Sequence, residues 1–124
     1  MKHTPKQLLV IDDSALIIKR VTLALHEKLK DIDVISVLKG ADALYSIQNF
    51  KPWVVLLDIQ LPDISGIEVL RQIKKTYPEV KVIMLTNQSA PHIRKTCLQE
   101  GADGFYDKTR EFEMAIEHIK KLDE

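Results

Sequence analysis

Short apolar runs and amphipathic stretches alternate from one end of the chain to the other, and that alternation leaves few folds open. The runs fall at residues 7–11, 34–38, 53–57, 80–85 and 104–106. They are β-branched and mostly apolar on both faces, as strands are when helices cover each side of a sheet. Helical periodicity fills the gaps. The first helix is expected to start at Ser14, a good N-cap, with Ile17, Val21, Leu25 and Leu29 on a stripe that Ile18 and Leu23 widen. The second covers residues 41–48, with Ala43, Leu44 and Ile47. The third carries Ile64, Ile67, Leu70 and Ile73 and stops before Pro78. The fourth lies near residues 91–99, with Gly101 as its stop, and the fifth carries Phe112, Ala115, Ile116, Ile119 and Leu122. Five strand–helix units in a row predict right-handed crossovers and a doubly wound parallel α/β sheet. No linker, repeat or low-complexity segment interrupts them, so residues 1–124 are expected to form one domain. Lys120 to Glu124 are charged and expected to fray.

Composition narrows the function. Hydrophobic residues make up 45% and charged residues 29%, an ordinary globular balance. Eighteen basic residues cancel eighteen acidic ones, which removes any whole-chain attraction to nucleic acid and leaves only a local basic group at His92, Arg94 and Lys95. The single cysteine, Cys97, forms no disulfide within the chain and is expected to be a small core residue in a reducing compartment. No segment approaches the ~18 consecutive apolar residues of a membrane span. The first seven residues have no signal-peptide core, and a cytoplasmic protein is expected.

In open parallel sheets, ligands bind beyond the carboxyl ends of the strands. Asp12 and Asp13 follow the first run, Asp58 the third, Thr86 the fourth and Lys108 the fifth. Each has an ordinary reading: the acids could cap helices, Asp58 with Pro62, Asp63, Ser65 and Gly66 could be turn chemistry, Thr86 could fill surface, and Lys108 could pair with Asp107. Ser14 already supplies a cap, however, and three converging carboxylates repel one another unless a cation sits among them. Hard Mg²⁺ prefers such oxygens, and a carboxylate can attack phosphorus. Other chemistries find no support: His3, His26, His92 and His118 lack zinc spacing with Cys97, and neither a glycine-rich phosphate loop nor a nucleophile elbow is present.

Four segments then carry a resemblance. Residues 8–14 read LLVIDDS, residues 54–67 VVLLDIQLPDISGI, residues 82–87 VIMLTN and residues 101–108 GADGFYDK. In order and spacing the chain resembles the receiver domain of two-component response regulators over essentially its whole length. The resemblance implies a flavodoxin-like (βα)5 fold with strand order 2-1-3-4-5. It also implies that Asp58 takes a phosphoryl group from a sensor histidine kinase or a histidine phosphotransfer protein. Asp13, Asp58 and the backbone carbonyl of Ile59 would bind Mg²⁺ or Mn²⁺ directly, and Asp12 mainly through water. Thr86 and Lys108 would grip the phosphoryl oxygens, and Thr86 and Phe105 would act as switch residues. Output would pass to an effector protein through the fourth helix, fifth strand and fifth helix, with no membrane contact and no nucleic acid bound by this chain.

Three departures stand out. Thr109 replaces the proline usual after the lysine; a cis bond before a non-proline costs roughly 3 kcal/mol, so a trans bond is expected. Asn87 replaces a small residue and is expected to narrow access to Asp58. Gln60 and Gln88 supply no strong base, which predicts an acyl phosphate that is not especially short-lived. A phosphatase-like enzyme would need an acid where Gln60 stands. A receiver fragment of a longer DNA-binding regulator, and a degenerate receiver that binds partners without phosphate, are the other readings.

Overall fold

The computed structural model describes residues 5–124, so His3 and most of the segment read for a signal core lie outside it. Five parallel strands alternate with five helices. They are β1 (Lys6–Ile11), α1 (Ala15–Lys28), β2 (Ile32–Val37), α2 (Gly40–Phe50), β3 (Val54–Leu57), α3 (Gly66–Thr76), β4 (Lys81–Thr86), α4 (Pro91–Gln99), β5 (Gly104–Asp107) and α5 (Phe112–Leu122). The strand order is β2-β1-β3-β4-β5, the flavodoxin-like order the resemblance implied. Register matters for the site: Ile11 pairs with Leu57, and Thr86 with Asp107, so the strands end almost level.

Alternating side chains on each strand feed two cores. Leu9, Ile11, Val55, Leu57, Val82 and Met84 pack with α2, α3 and Cys97 of α4 on one face. Leu8, Val10, Val54, Leu56, Ile83 and Leu85 pack with α1 and α5 on the other. Each fully buried leucine contributes about 1.5–3 kcal/mol of hydrophobic stabilisation, and truncating one such as Leu57 to alanine costs about 2–5 kcal/mol. Among the described residues no buried side-chain nitrogen or oxygen lacks a hydrogen-bond partner.

Several sequence expectations need correction. Leu23 is 57% exposed, because α1 buries only the narrower stripe around Val21 and Leu25. Strand β2 starts at Ile32 rather than at residue 34, since Asp31 takes a left-handed φ of 58° and turns the chain directly into pairing with Lys6; Leu38 falls outside the strand and is exposed. Helix α3 starts at Gly66, not at Ile64. Ser65 Oγ accepts from Ile67 N at 3.2 Å as its N-cap, while Ile64 packs against Gly40, where an added Cβ would lie 2.5 Å from Ile64 Cγ1. The terminal residues are held rather than frayed: α5 continues to Leu122, and Asp123 pairs with Lys6 at 2.7 Å. Ser14 caps α1, accepting from Ile17 N at 3.3 Å, as its sequence position implied. Gly101 ends α4 at φ +102°, a conformation that favours glycine.

Candidate functional site

The carboxyl ends of β1, β3, β4 and β5 bring the predicted residues together. Asp58 N–H donates to Ile11 O at 3.0 Å, which seats Asp58 beside the end of β1. Asp12 follows on β1 and donates its own N–H to Val37 O at 3.1 Å. Ligand atoms of Asp12, Asp13 and Asp58 all lie within 4.8 Å of one another, an arrangement that could hold a metal ion. Asp12 and Asp58 are buried and Asp13 is exposed, so the cluster opens to solvent on one side.

Lys108 reaches into this cluster. Its Nζ lies 2.8 Å from Asp12 Oδ2 and 2.9 Å from Asp58 Oδ2. The ordinary pairing with Asp107 does not form. Three carboxylates against one ammonium leave a local excess of two negative charges, which a divalent cation would balance. Burial pushes the Asp12 carboxyl up, against the pull of the Lys108 ammonium and Ser14 N–H, and the Asp58 charge adds to the rise. Burial alone would lower the Lys108 ammonium, but Asp12 and Asp58 together outweigh it and hold the lysine more firmly protonated than usual.

The other oxygen of each buried acid accepts a local N–H and keeps further acceptor capacity. Asp12 Oδ1 accepts from Ser14 N at 2.9 Å and Asp58 Oδ1 from Gln60 N at 3.3 Å. Thr86 is fully buried rather than surface filling. Its Oγ accepts from Gln88 N at 3.1 Å, which leaves its hydroxyl hydrogen free to donate, and its carbonyl accepts from Lys108 N at 3.0 Å. The Lys108–Thr109 bond is trans, as expected for a non-proline. The Ile59 carbonyl, an expected ligand, accepts from Gly66 N at 2.8 Å and so serves the turn that opens α3. That turn is tight: a Cβ on Gly66 would lie 2.0 Å from the Asp58 carbonyl oxygen.

Phe105 is buried, 2% exposed, with the Arg94 guanidinium 5.6 Å from its ring centroid and Arg94 Nη1 donating to its carbonyl at 3.0 Å. Arg94 is thereby drawn away from the basic group expected with His92 and Lys95. Asn87 Oδ1 accepts from Thr109 Oγ1 at 3.2 Å across the mouth of the two loops.

Two functional contacts were not foreseen. Asp63 Oδ1 and Oδ2 accept from Gly40 N and Ala41 N, each at 2.9 Å, so the loop after Asp58 caps α2. These two N–H groups hold the Asp63 carboxyl below the usual carboxylate range. The only signal was negative: Lys39, at the N-cap position, has no capping side chain. Asp107, read only as a possible partner for Lys108, accepts instead from Ser89 Oγ at 2.6 Å and from Thr109 N and Arg110 N at 2.9 Å.

Comparison with known proteins agrees with this geometry. The family described as response regulator receiver domain matches residues 8–120. The chain is 39% identical over 114 residues to protein-glutamate methylesterase/protein-glutamine glutaminase 2 of Koribacter versatilis, covering 90% of this chain and 31% of that protein. It is 31% identical over 118 residues to the response regulator protein VraR of Staphylococcus saprophyticus, covering 94% and 56%. A solved CheY-like response regulator receiver domain from Methanospirillum hungatei superposes with a TM-score of 0.83 at 29% identity, covering 97% of this chain and 95% of that one. The chain thus spans between 31% and 56% of the length of these two curated relatives. Fold, acidic cluster and family match agree, and the chain belongs to the response regulator receiver domains, the signalling modules of two-component systems.

Proposed function

We propose that Asp58 is the phosphoacceptor, that Asp12, Asp13 and Asp58 hold Mg²⁺ or Mn²⁺, and that Thr86 and Lys108 bind the transferred phosphoryl group. One observation carries this reading: the Lys108 ammonium bridges Asp58 and Asp12 beside a third carboxylate, at the switch point between β1 and β3. A sensor histidine kinase or a histidine phosphotransfer protein supplies the group. An Asp58 carboxylate oxygen attacks phosphorus, the new O–P bond forms, the P–N bond to the donor histidine breaks, and the imidazole leaves. Lys108 exchanges a carboxylate partner for a phosphoryl oxygen, and the free Thr86 hydroxyl donates to another. The cation, when bound, neutralises charge on the acids and phosphoryl oxygens.

A backbone carbonyl of the loop after Asp58 would complete the cation's ligands: that of Ile59, which also accepts from Gly66 N–H at 2.8 Å, or that of Gln60, the next in the chain. Gln60 also leaves no acid for a leaving group, so the domain signals rather than turning over a separate substrate, and its acyl phosphate persists beyond seconds. Thr86 and Phe105 act as the switch, with Phe105 already inward beside Arg94. The face of α4, β5 and α5 meets an effector protein, where Leu98 and Met114 are 43% and 55% exposed. Among the described residues no helix is long and apolar enough to cross a membrane, and the proposed setting is the cytoplasm.

Incubation with acetyl phosphate and Mg²⁺ tests the reading. The intact mass of the wild type should rise by one phosphoryl group, and that of Asp58→Ala should not. An unmodified wild type would leave a partner-binding domain that works without phosphate. The short span of the curated relatives favours a second, compatible reading, in which these residues form the receiver part of a longer regulator. The full reading frame decides it.

A further inference from the structure

We propose that Asp107 is a positioning residue for phosphoryl transfer: its carboxylate ties the loop after β4 to the turn after β5 and so fixes Lys108 against Asp12 and Asp58. This inference rests on the reading of Asp58 as phosphoacceptor.

Asp107 ends β5, is 7% exposed, and sits opposite Thr86 in the ladder. Its Oδ2 accepts from Ser89 Oγ at 2.6 Å, which reaches across to the loop that carries Thr86 and Asn87. Its Oδ1 accepts from Thr109 N and Arg110 N at 2.9 Å, which sets the backbone immediately after Lys108. Its own N–H donates to Glu111 Oε1 at 3.0 Å, and its carbonyl accepts from Glu111 N at 2.9 Å. The Lys108 N–H is itself held by Thr86 O at 3.0 Å. Lys108 is thus clamped by its own backbone and by the residue before it.

That clamp has a reason. Lysine places a point charge at the end of a flexible four-carbon stem, so its ammonium is only as well located as its backbone. Proline after a lysine would fix one dihedral angle, but Thr109 fixes none. A carboxylate that accepts two successive N–H groups supplies the missing constraint and adds a tie to Ser89. The Ser89 hydroxyl, with the Arg110 N–H, also holds the Asp107 carboxyl below the usual carboxylate range, so the tie stays charged at neutral pH.

The test compares wild type, Asp107→Ala, Asp107→Asn and Ser89→Ala in the whole chain. Phosphorylation rates are measured with acetyl phosphate and Mg²⁺, and metal affinity with Mn²⁺ alone by electron paramagnetic resonance. Misplacing Lys108 by a fraction of an ångström should slow Asp107→Ala about tenfold. Its Mn²⁺ affinity should stay constant or rise, because a loosened Lys108 competes less for Asp12 and Asp58. Asp107→Asn keeps an oxygen for Thr109 N and Arg110 N and should recover most of the rate. Should Asp107→Ala fail to fold, Ser89→Ala decides, with an expected slowing of about threefold at unchanged Mn²⁺ affinity. A rate within about twofold of wild type in folded Asp107→Ala, or rate and Mn²⁺ affinity falling together, overturns the inference. A wild type that takes no phosphoryl group overturns the phosphoacceptor reading as well.

Discussion

The two edges of the sheet each carry a lysine–aspartate pair, and the pairs are built in opposite ways. At the carboxyl edge, Lys108 faces Asp12 and Asp58 with Asp13 nearby, so acids outnumber the amine. At the amino edge, Lys74 Nζ donates to Asp103 Oδ2 at 2.8 Å and to Val80 O at 2.8 Å, while the same carboxylate oxygen accepts from Val82 N at 2.9 Å. Lys81 stands 4.0 Å from the other Asp103 oxygen. The amino-edge pair is closed: each charge has its partners and neither needs a ligand. The carboxyl-edge pair is frustrated, with burial and like charge raising the Asp12 carboxyl. The closed pair is complete in itself, whereas the unbalanced one is what the proposed cation and phosphoryl group would satisfy.

The contrast breaks most sharply at Lys108. Lys108→Ala should slow phosphorylation by acetyl phosphate about 10²–10³-fold, as loss of a charge-stabilising donor does elsewhere, while Mn²⁺ affinity holds or rises. A rate near wild type would make the carboxyl-edge lysine merely structural. The converse substitution is Asp103→Ala, which strands a half-buried ammonium and a strand N–H. With Lys74 and Asp103 side chains 16% and 26% exposed, the loss should be about 2–3 kcal/mol in urea unfolding, below the full buried-pair cost. Its phosphorylation rate should not change.

Asp12→Asn should act with the opposite sign. The native state raises the Asp12 carboxyl above its unfolded value, so the ionised group opposes folding at neutral pH, and its removal should stabilise by on the order of 1 kcal/mol in Mg²⁺-free buffer. Added Mg²⁺ should then raise the melting temperature of wild type more than that of the variant. Destabilisation without metal would mean that the pairing with Lys108 outweighs burial. The smallest effect belongs to Asp63→Ala, which uncaps α2. Asp63 is lowered in the folded state, so its contribution is complete above the unfolded value of about 4 and fades as pH falls through the folded one. The gap in melting temperature between wild type and Asp63→Ala should therefore close in acid. A gap that stays constant with pH would assign the cap to geometry rather than charge.

These differences also explain what could be read from the sequence. Asp12, Asp13, Asp58, Thr86 and Lys108 were legible because each ends an apolar run, and parallel strands bring such ends together. Leu23 and Ile64 were misplaced because periodicity gives a stripe but neither its width nor where a cap begins. Spacing along the loop did not show that the Ile59 carbonyl also serves the turn into α3, where it accepts from Gly66 N–H. Asp63 and Asp107 carry partners 22 and 18 residues away, at Ala41 and Ser89, and no local pattern announces such contacts. The amino-edge pair escaped for the same reason.

The clasp between Lys6 and Asp123 brings the start of the first strand beside the end of the last helix. Strand β1 runs its whole length away from that clasp before it reaches Asp12, roughly 20 Å for six residues. A circular permutation joining these ends would leave the acid pocket untouched. The start of β1 and the end of α5 thus share the pole remote from Asp58, and whatever is felt there of chemistry at the acids passes through the packed layers in between.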